Sequence, residues 1–444
     1  MTRAKPKLFR DPVHDTIALP QDTAGDRLLV RLLDTPEMQR LRRIRQLGLT
    51  SVVYPGAEHS RFQHSLGVLW TAHEMLERLG KRTAIDEGTR HLVLVGALLH
   101  DVGHGPMSHA LESVTGIDHE RWTEALLGGP PPFPERPGAG PLAELLTAFD
   151  PALADGVIAL YGKGPLPSGV PAFAREIVSS QLDADRLDYI LRDGHATGVR
   201  IGNYDLARIL ALLELGDGHL AIHVGAQEAV EGYLLSRFHM YKQVYLHKTS
   251  RAAERMLEAL LRRAGLLRRE GASPRYWPDG ALGRLIAGEP LSPIEFATLD
   301  DGDVQHAIKA WSHDADPGLA ALAHGLLHRA LWKPLPLPAD ETRADELVQG
   351  ARAIARVKGF DPDIAVLVDS SRDSLYRPFT GVRAHHGDVD DSIRLVDSAG
   401  RVSFIEDRSE VVKMLSHLEV RQRLVCVHPA LREPVARSLR LTEG

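Results

Sequence analysis

One cysteine, Cys426, stands in a chain of 444 residues. A single thiol excludes an intrachain disulfide framework and a cysteine-based zinc site, and it fits a reducing compartment. A basic excess is missing too: 53 lysines and arginines face 59 carboxylates, for a net charge of −6. No global positive field exists to hold a nucleic-acid backbone or an anionic membrane, so strong nucleic-acid binding is not expected. Long apolar runs are also absent. Stretches such as residues 92–99 fall far short of the roughly 20 residues that span a bilayer, and residues 1–20 carry charges where a secretory signal needs an apolar core. The sequence reads as cytoplasmic, with no membrane partner.

What is present is an ordinary globular composition, 43% hydrophobic and 25% charged. The chain is longer than the roughly 250–300 residues at which a single core stops growing, so a large core with at least one appendage is expected. Residues 8–19 mix apolar and polar positions around Pro12, which predicts short strands and a hairpin. Apolar positions then recur at helical spacing: Leu28, Leu29, Leu32 and Leu33, followed after Pro36 by Met38, Leu41, Ile44 and Leu47. Further helices are predicted over 61–79, 87–100, 108–114, 118–127, 142–149, 151–161, 171–180 and 184–192. A strand pair near 216–225 and one long helix over 228–263 complete this part. The breaker-dense stretches 128–141 and 162–171 read as surface excursions between helices. After Arg343 strands and helices alternate over about 100 residues, which indicates a small α+β unit.

Histidine is over-represented in one place. The 61 residues from His59 to His119 hold eight of the 22 histidines, where even spreading gives about three. Solvated or core-satisfied histidines are the plain alternative to a site. The segment 98–109 argues against it: an apolar helix ends on His100 and Asp101, two adjacent metal-capable groups at a helix terminus whose negative potential favours a cation. Gly103, Gly105 and Pro106 then force a tight turn that brings His104 and His109 near the same point. Upstream, Arg61 and His64 share a helix face at i, i+3. One can ligate while the other grips phosphate. Downstream, Asp185, Tyr189 and Asp193 fall at successive i, i+4 positions on a helix whose Leu182, Ile190 and Leu191 imply packing, and buried carboxylates need partners. Together His64, His100, Asp101 and Asp185 supply two nitrogens and two carboxylates. That set suits a divalent transition ion with positions left open for water and phosphate oxygens.

The order of these residues resembles the HD-domain phosphohydrolases, and the surrounding words are closer still. Gln46-Leu-Gly, Pro55-Gly-Ala, Arg61-Phe-Gln-His-Ser-Leu-Gly, His100-Asp-Val-Gly-His-Gly-Pro-Met-Ser-His, His119-Glu and Asp185-Arg-Leu-Asp-Tyr-Ile-Leu-Arg-Asp resemble the deoxynucleoside triphosphate triphosphohydrolases of that family, over about residues 8–265. The resemblance implies an HD-domain helical core with short N-terminal strands (1–265, its motifs within about 50–200); outside the match, the sequence pattern adds a helical extension (266–342) and the smaller C-terminal α+β domain (343–444), for a mainly α fold. It implies hydrolysis of a deoxynucleoside triphosphate to deoxynucleoside and inorganic triphosphate. The cofactor would be a divalent metal, Mn, Fe, Mg, Zn or Ni, on His64, His100, Asp101 and Asp185. His104, His109, Glu112 and His119 would handle phosphates and the proton, with His109 the first choice as acid and Glu112 as its orienter. Arg61, Arg186 and Arg237 would bind substrate together with Tyr189, Asp193 and Tyr245. Gln46 and Leu47 would line the sugar edge against a 2′-hydroxyl. Arg186 stands where the family often has a lysine, and Leu246 where relatives carry a glutamine that meets the base. The family also implies a homo-oligomer, dimer or tetramer, and a dNTP acting as allosteric activator.

Two other readings share the same residues. An HD metal set also serves nucleotidases and phosphodiesterases that cleave other phosphate esters. A nucleotide sensor would use the pocket for binding alone, with the C-terminal unit passing its state to a partner.

Overall fold

The computed structural model describes residues 4–272, 274–374 and 392–439. Helices dominate, and the strands are short and gathered in three small sheets. The predicted N-terminal hairpin is present: β1 (Lys7–Asp11) pairs antiparallel with β2 (Asp15–Leu19). Its turn is held by the Asp11 carboxylate, which accepts from the Val13 and His14 amides at 2.9 and 3.0 Å. Asp15 takes a left-handed φ of 59° there.

Three helices frame the site. The helix Arg61–Leu79 starts in a capping box, with Ser60 and Gln63 satisfying each other's backbone amides. Glu87–Leu99 is capped by Asp86, and its Leu92, Val93, Leu94, Val95, Leu98 and Leu99 are all buried. Ala184–Thr197 is capped by Asp183 at one end and by left-handed Gly198 at the other. Because its stretch from Leu92 to Leu99 is apolar on every side, this helix runs into the core and delivers its last residues into the interior. Most of the apolar residues on these elements belong to one large core.

The single long helix expected over 228–263 is broken. Gln227–Met240 is followed by a π-helical turn, Tyr241–Tyr245, and a new helix begins at Lys248 and runs to Arg269. Tertiary bonds explain the break. The Tyr245 hydroxyl donates to Asp193 at 2.8 Å, the Gln243 carbonyl accepts from Tyr54, and the His247 ring caps Thr249 at 3.2 Å. Single π turns of this kind cluster at functional sites.

The strand pair near 216–225 is β3 (Leu213–Gly216) and β4 (His219–His223), joined by Asp217 and Gly218, both at positive φ as a tight hairpin turn requires. The later strands are β5 (Lys333–Pro336), β6 (Val366–Ser374), β7 (Arg394–Val396), β8 (Val402–Phe404) and β9 (Glu419–Val427). Two sheets straddle position 343. β7 pairs parallel with β4, giving the order β3-β4-β7-β8, and β9 lies between β5 and β6. Pro334 and Pro336 sit on β5, an edge strand, where a missing N–H is tolerated. A second small core gathers Leu335, Val348, Val366, Val425, Val427 and Val435. The carboxyl-terminal segment is thus hydrogen-bonded to the helical core. Among the described residues no helix is long and apolar enough to cross a membrane.

Candidate active site

The ends of the three framing helices converge. Nε2 of His64 lies 3.2 Å from Nε2 of His100 and 2.9 Å from Oδ1 of Asp185. Nε2 of His100 is 3.5 Å from Asp101 and 3.7 Å from Asp185. His64, His100 and Asp101 place their ligand atoms close enough together to share one ion, and among the described residues so do Asp101, His104 and His119.

The outer nitrogens decide what these rings can offer. Nδ1 of His100 faces the Ala97 carbonyl at 3.0 Å, and a carbonyl can only accept, so Nδ1 carries the proton and Nε2 presents a lone pair. Nδ1 of His64 faces Oδ2 of Asp188 at 2.8 Å. Burial opposes the charge on Asp188, but Arg192 and hydrogen bonds from His14 and His64 hold its carboxyl well below the usual range. His64 Nδ1 is therefore the donor. Two lone pairs and two carboxylates then face one point, an arrangement that repels itself unless a cation or a proton sits between. Burial pushes the His64 pKa down, yet Asp185 and Asp188 hold it up to about 10. The proton so retained marks where a cation fits, and the donor set, two imidazole nitrogens and two carboxylates without sulfur, suits a divalent ion.

Behind the ligands runs a fully buried charge network that sequence reasoning passed over. Arg192 donates to Asp188 from Nε and Nη2 at 2.8 and 2.9 Å and to Asp11 from Nη1 at 2.8 Å. His14 Nε2 meets Asp188 at 2.7 Å. Asp188 and Arg192 sit at i, i+4, one turn beyond Asp185. That spacing was a readable signal, but their partners on the N-terminal hairpin were not. Gly67 makes room for the network: a Cβ there would lie 2.0 Å from Asp188 Oδ1 and 2.3 Å from Arg192 Nη2. Gly67→Ala is therefore expected to wedge the two helices apart, costing about 1–3 kcal/mol and loosening His64. The check is a lower melting temperature together with a lower metal content at equal free metal.

A second group faces Asp101. Arg61, 3% exposed, donates to Asp101 and to Ser108 Oγ, the latter at 2.9 Å. The rings of His104 and His119 stack with centroids 3.7 Å apart. His104 Nε2 approaches Asp101 at 3.2 Å, and His119 Nδ1 meets Glu112 at 3.1 Å. Their environments differ in sign. Burial and the Arg61 charge push His104 down to about 4, so it is neutral near pH 7. Burial also opposes charge on His119, but the Glu112 hydrogen bond wins and raises it. A stacked pair pushed apart in this way separates a proton carrier from a neutral contact. His109 opens the helix His109–Thr115, and its side chain lies outside the described residues.

The turn between these groups is strained. Met107 and Ser108 take φ of 56° and 53°, and Asp301 holds the Met107 amide at 2.7 Å. Consecutive non-glycine residues in this region persist only where the surroundings over-determine them, commonly at functional sites. Ser108 Oγ faces the Arg45 and Gln46 carbonyls at 3.2 and 3.4 Å, which brings the 45–48 segment to the site.

All of this opens on one cavity of about 680 Å³. Asp101, Asp185, Arg61, His104 and His119 line one part of it. Tyr189, Asp193, Arg237, Tyr241 and Tyr245 line another, with Gln46, Leu47 and Arg186. Asp193 is fixed by Tyr245 at 2.8 Å and His59 at 2.7 Å, Arg186 by Asp183 at 2.7 Å, and Arg237 by Gln181 at 2.9 Å. Gln46 Oε1 and Arg237 Nε are buried without a hydrogen-bond partner among the described residues. Buried polar atoms left this way in a cavity wall are the mark of a ligand contact.

A helical fold with paired histidines and aspartates at the ends of its core helices, able to hold a divalent ion, is the arrangement of the HD class of phosphohydrolases. The HD domain model matches residues 61–129, and the HD associated region matches residues 204–271. The uncharacterized protein YwfO of Bacillus subtilis is 34% identical over 418 residues, 92% of this chain and 89% of its own length. A phosphohydrolase of Bacteroides thetaiotaomicron, known from its crystal structure, superposes with a TM-score of 0.77 at 32% identity, covering 95% of this chain and all of that one. The chain belongs to the HD-domain phosphohydrolase family. It is also similar, at 30% identity over 79% of its length, to the deoxynucleoside triphosphate triphosphohydrolase SAMHD1 of Gallus gallus, of which it spans 60%.

Proposed function

We propose that this protein hydrolyses deoxynucleoside triphosphates to deoxynucleoside and inorganic triphosphate. The observation that carries the reading is the single cavity in which the candidate metal-ligand carboxylates, the buried Arg61 and Arg237, the half-buried Arg186 and the Tyr189–Asp193–Tyr245 wall meet. His64, His100, Asp101 and Asp185 would hold a divalent ion of the Mn, Fe, Mg, Zn or Ni kind. Bound there, it would acidify a water and neutralise phosphoryl charge.

The chain's own residues account for the rest. Arg61, Arg186 and Arg237 hold the phosphates, and His104, kept neutral, contacts one of their oxygens. Water attacks the α-phosphorus, the bond to the sugar O5′ breaks, and the departing oxygen takes a proton. His119, its pKa raised by the Glu112 hydrogen bond that also orients it, supplies that proton, with His109 on the adjacent helix start as the other donor within the set. Asp193 and Tyr189 meet the sugar hydroxyl, while Gln46 and Leu47 close on the sugar edge and leave no room for a 2′-hydroxyl. Assembly as a homo-oligomer and activation by a second dNTP belong to the same reading and rest on the family resemblance.

The test incubates the protein with each dNTP and rNTP, singly and in pairs, in Mn²⁺, Fe²⁺ or Mg²⁺, and separates the products by chromatography. Triphosphate and deoxynucleoside are expected from dNTPs, with rNTPs much slower. Orthophosphate from nucleoside monophosphates with every dNTP intact would replace this reading by a nucleotidase. Faster turnover in pairs than singly would reveal the activator.

A further inference from the structure

The cavity has one wall that neither metal, phosphate nor sugar contacts explain, and it comes from the carboxyl-terminal sheet. β6 lies against the helix Lys248–Arg269, and its Asp369 is fully buried there. Arg251 on that helix donates Nε–H to both Asp369 oxygens at 3.2 Å and Nη2–H to Oδ1 at 2.5 Å. Its Nη1 donates to Glu254 at 2.5 Å, and Arg255 adds a second cation 3.4 Å from Asp369. A guanidinium has five N–H donors in a rigid plane. These bonds use three and leave one on each Nη, on a side chain that lines the cavity. The next two residues of β6, Ser370 and Ser371, line the cavity as well. Ser371 Oγ donates to Asp369 at 3.3 Å, so its oxygen remains an acceptor.

Charge balance says what this wall meets. Arg61 stands beside the metal ligands, and Arg186 and Arg237 are held by Asp183 and Gln181, close in sequence to Asp185. Arg251 is different: Asp369 and Glu254 both neutralise it. It offers directed donors without a net positive field, which suits a neutral partner with paired acceptors better than a phosphate. A staple between strand and helix would explain the Arg251–Asp369 pair, but not that Arg251, Ser370 and Ser371 all line the cavity.

We infer that Arg251, positioned by Asp369, reads the nucleobase together with Ser370 and Ser371, and that the base it favours is guanine. On the major-groove edge guanine alone among the four presents two adjacent acceptors, N7 and O6, whereas cytosine pairs its acceptors, N3 and O2, only on the Watson–Crick edge. The inference rests on the dNTP reading above and adds the wall and the base. It makes the carboxyl-terminal sheet part of the active site.

The experiment lets the four dNTPs compete in one mixture at saturating Mn²⁺, so that every substrate meets the same activator state, and reads relative kcat/KM from product deoxynucleosides. Wild type is compared with Arg251→Lys, which keeps a cation beside Asp369, and with the Ser370→Ala/Ser371→Ala double variant. Wild type should prefer dGTP. In Arg251→Lys the dGTP-to-dATP ratio should fall about tenfold or more, through KM, with metal content unchanged. The serine double variant should lower the same ratio several-fold without loss of folding. A wild type indifferent between dGTP and dATP overturns the inference, as does an equal loss on all four substrates in both variants. Absence of triphosphate from every dNTP in the wild type defeats the proposed reaction itself, and this inference with it.

Discussion

Asp101→Ala is expected to bring hydrolysis below detection and to strip the bound metal together with it. Asp101 stands where two groups meet: it faces His100 and His104 at 3.5 and 3.2 Å, and it accepts from Arg61. Burial opposes its charge, but His100, Arg61 and His104 hold its carboxyl well below the usual range, so it is ionised at any working pH. Removing it takes away a ligand and leaves the buried Arg61 short of an anion. Metal analysis and the product assay, run on one preparation, check both losses. Asp101→Asn serves as the isosteric control: it keeps the shape, loses the charge, and should fail as well. Full activity in either variant would sink the assignment of the ligand set. Asp188→Asn, which leaves all four ligands in place but weakens the partner of His64 Nδ1, should lower metal affinity by roughly 10–100-fold without abolishing turnover at saturating metal.

Arg192→Leu is expected to give the largest loss of stability. Its guanidinium sits between Asp11 and Asp188, at 1% exposure, and ties the N-terminal hairpin to the helix Ala184–Thr197. Replacing it leaves two buried carboxylates with one cation fewer, a defect that costs about 3–5 kcal/mol. The melting temperature should fall steeply, and the metal should be lost at lower temperature than in wild type, because Asp188 would no longer hold His64 in register. A melting curve that overlays the wild type would show that the network does not stabilise the fold. An Arg192→Leu/Asp11→Asn pair, which removes a charge of each sign, should recover part of the loss.

The ligand set was readable because each member lies in a short local word. His100 and Asp101 close an apolar helix, His64 follows Arg61 by one turn, and Asp185 begins the polar face that continues through Tyr189 and Asp193. Local periodicity places such residues on faces and ends, and three helix termini meeting at one point is a small further step. The second layer was not readable in that way. His14 and Asp11 reach Asp188 and Arg192 across more than 170 positions. The break at Tyr241–Tyr245 interrupts a stretch whose spacing is helical throughout, because the Tyr245 hydroxyl bonds to Asp193 and the Gln243 carbonyl accepts from Tyr54, both far away in the chain.

The carboxyl-terminal unit shows the same division. Its alternation of strands and helices was visible after Arg343, since period-two and period-3.6 patterns are local. Its attachment was not, because β7 chooses β4 and β9 chooses β5 and β6 by long-range backbone pairing. The helical class and a candidate ligand set of His64, His100, Asp101 and Asp185 could be read from spacing and side-chain chemistry, and the roles expected of the neighbouring histidines came from the family resemblance. Which carboxylate orients His64, which of the two stacked histidines has its pKa raised and which lowered, and that β6 lines the cavity all come from the tertiary structure. Each of these depends on partners far apart in the chain and on burial, and burial exists only once the chain has folded.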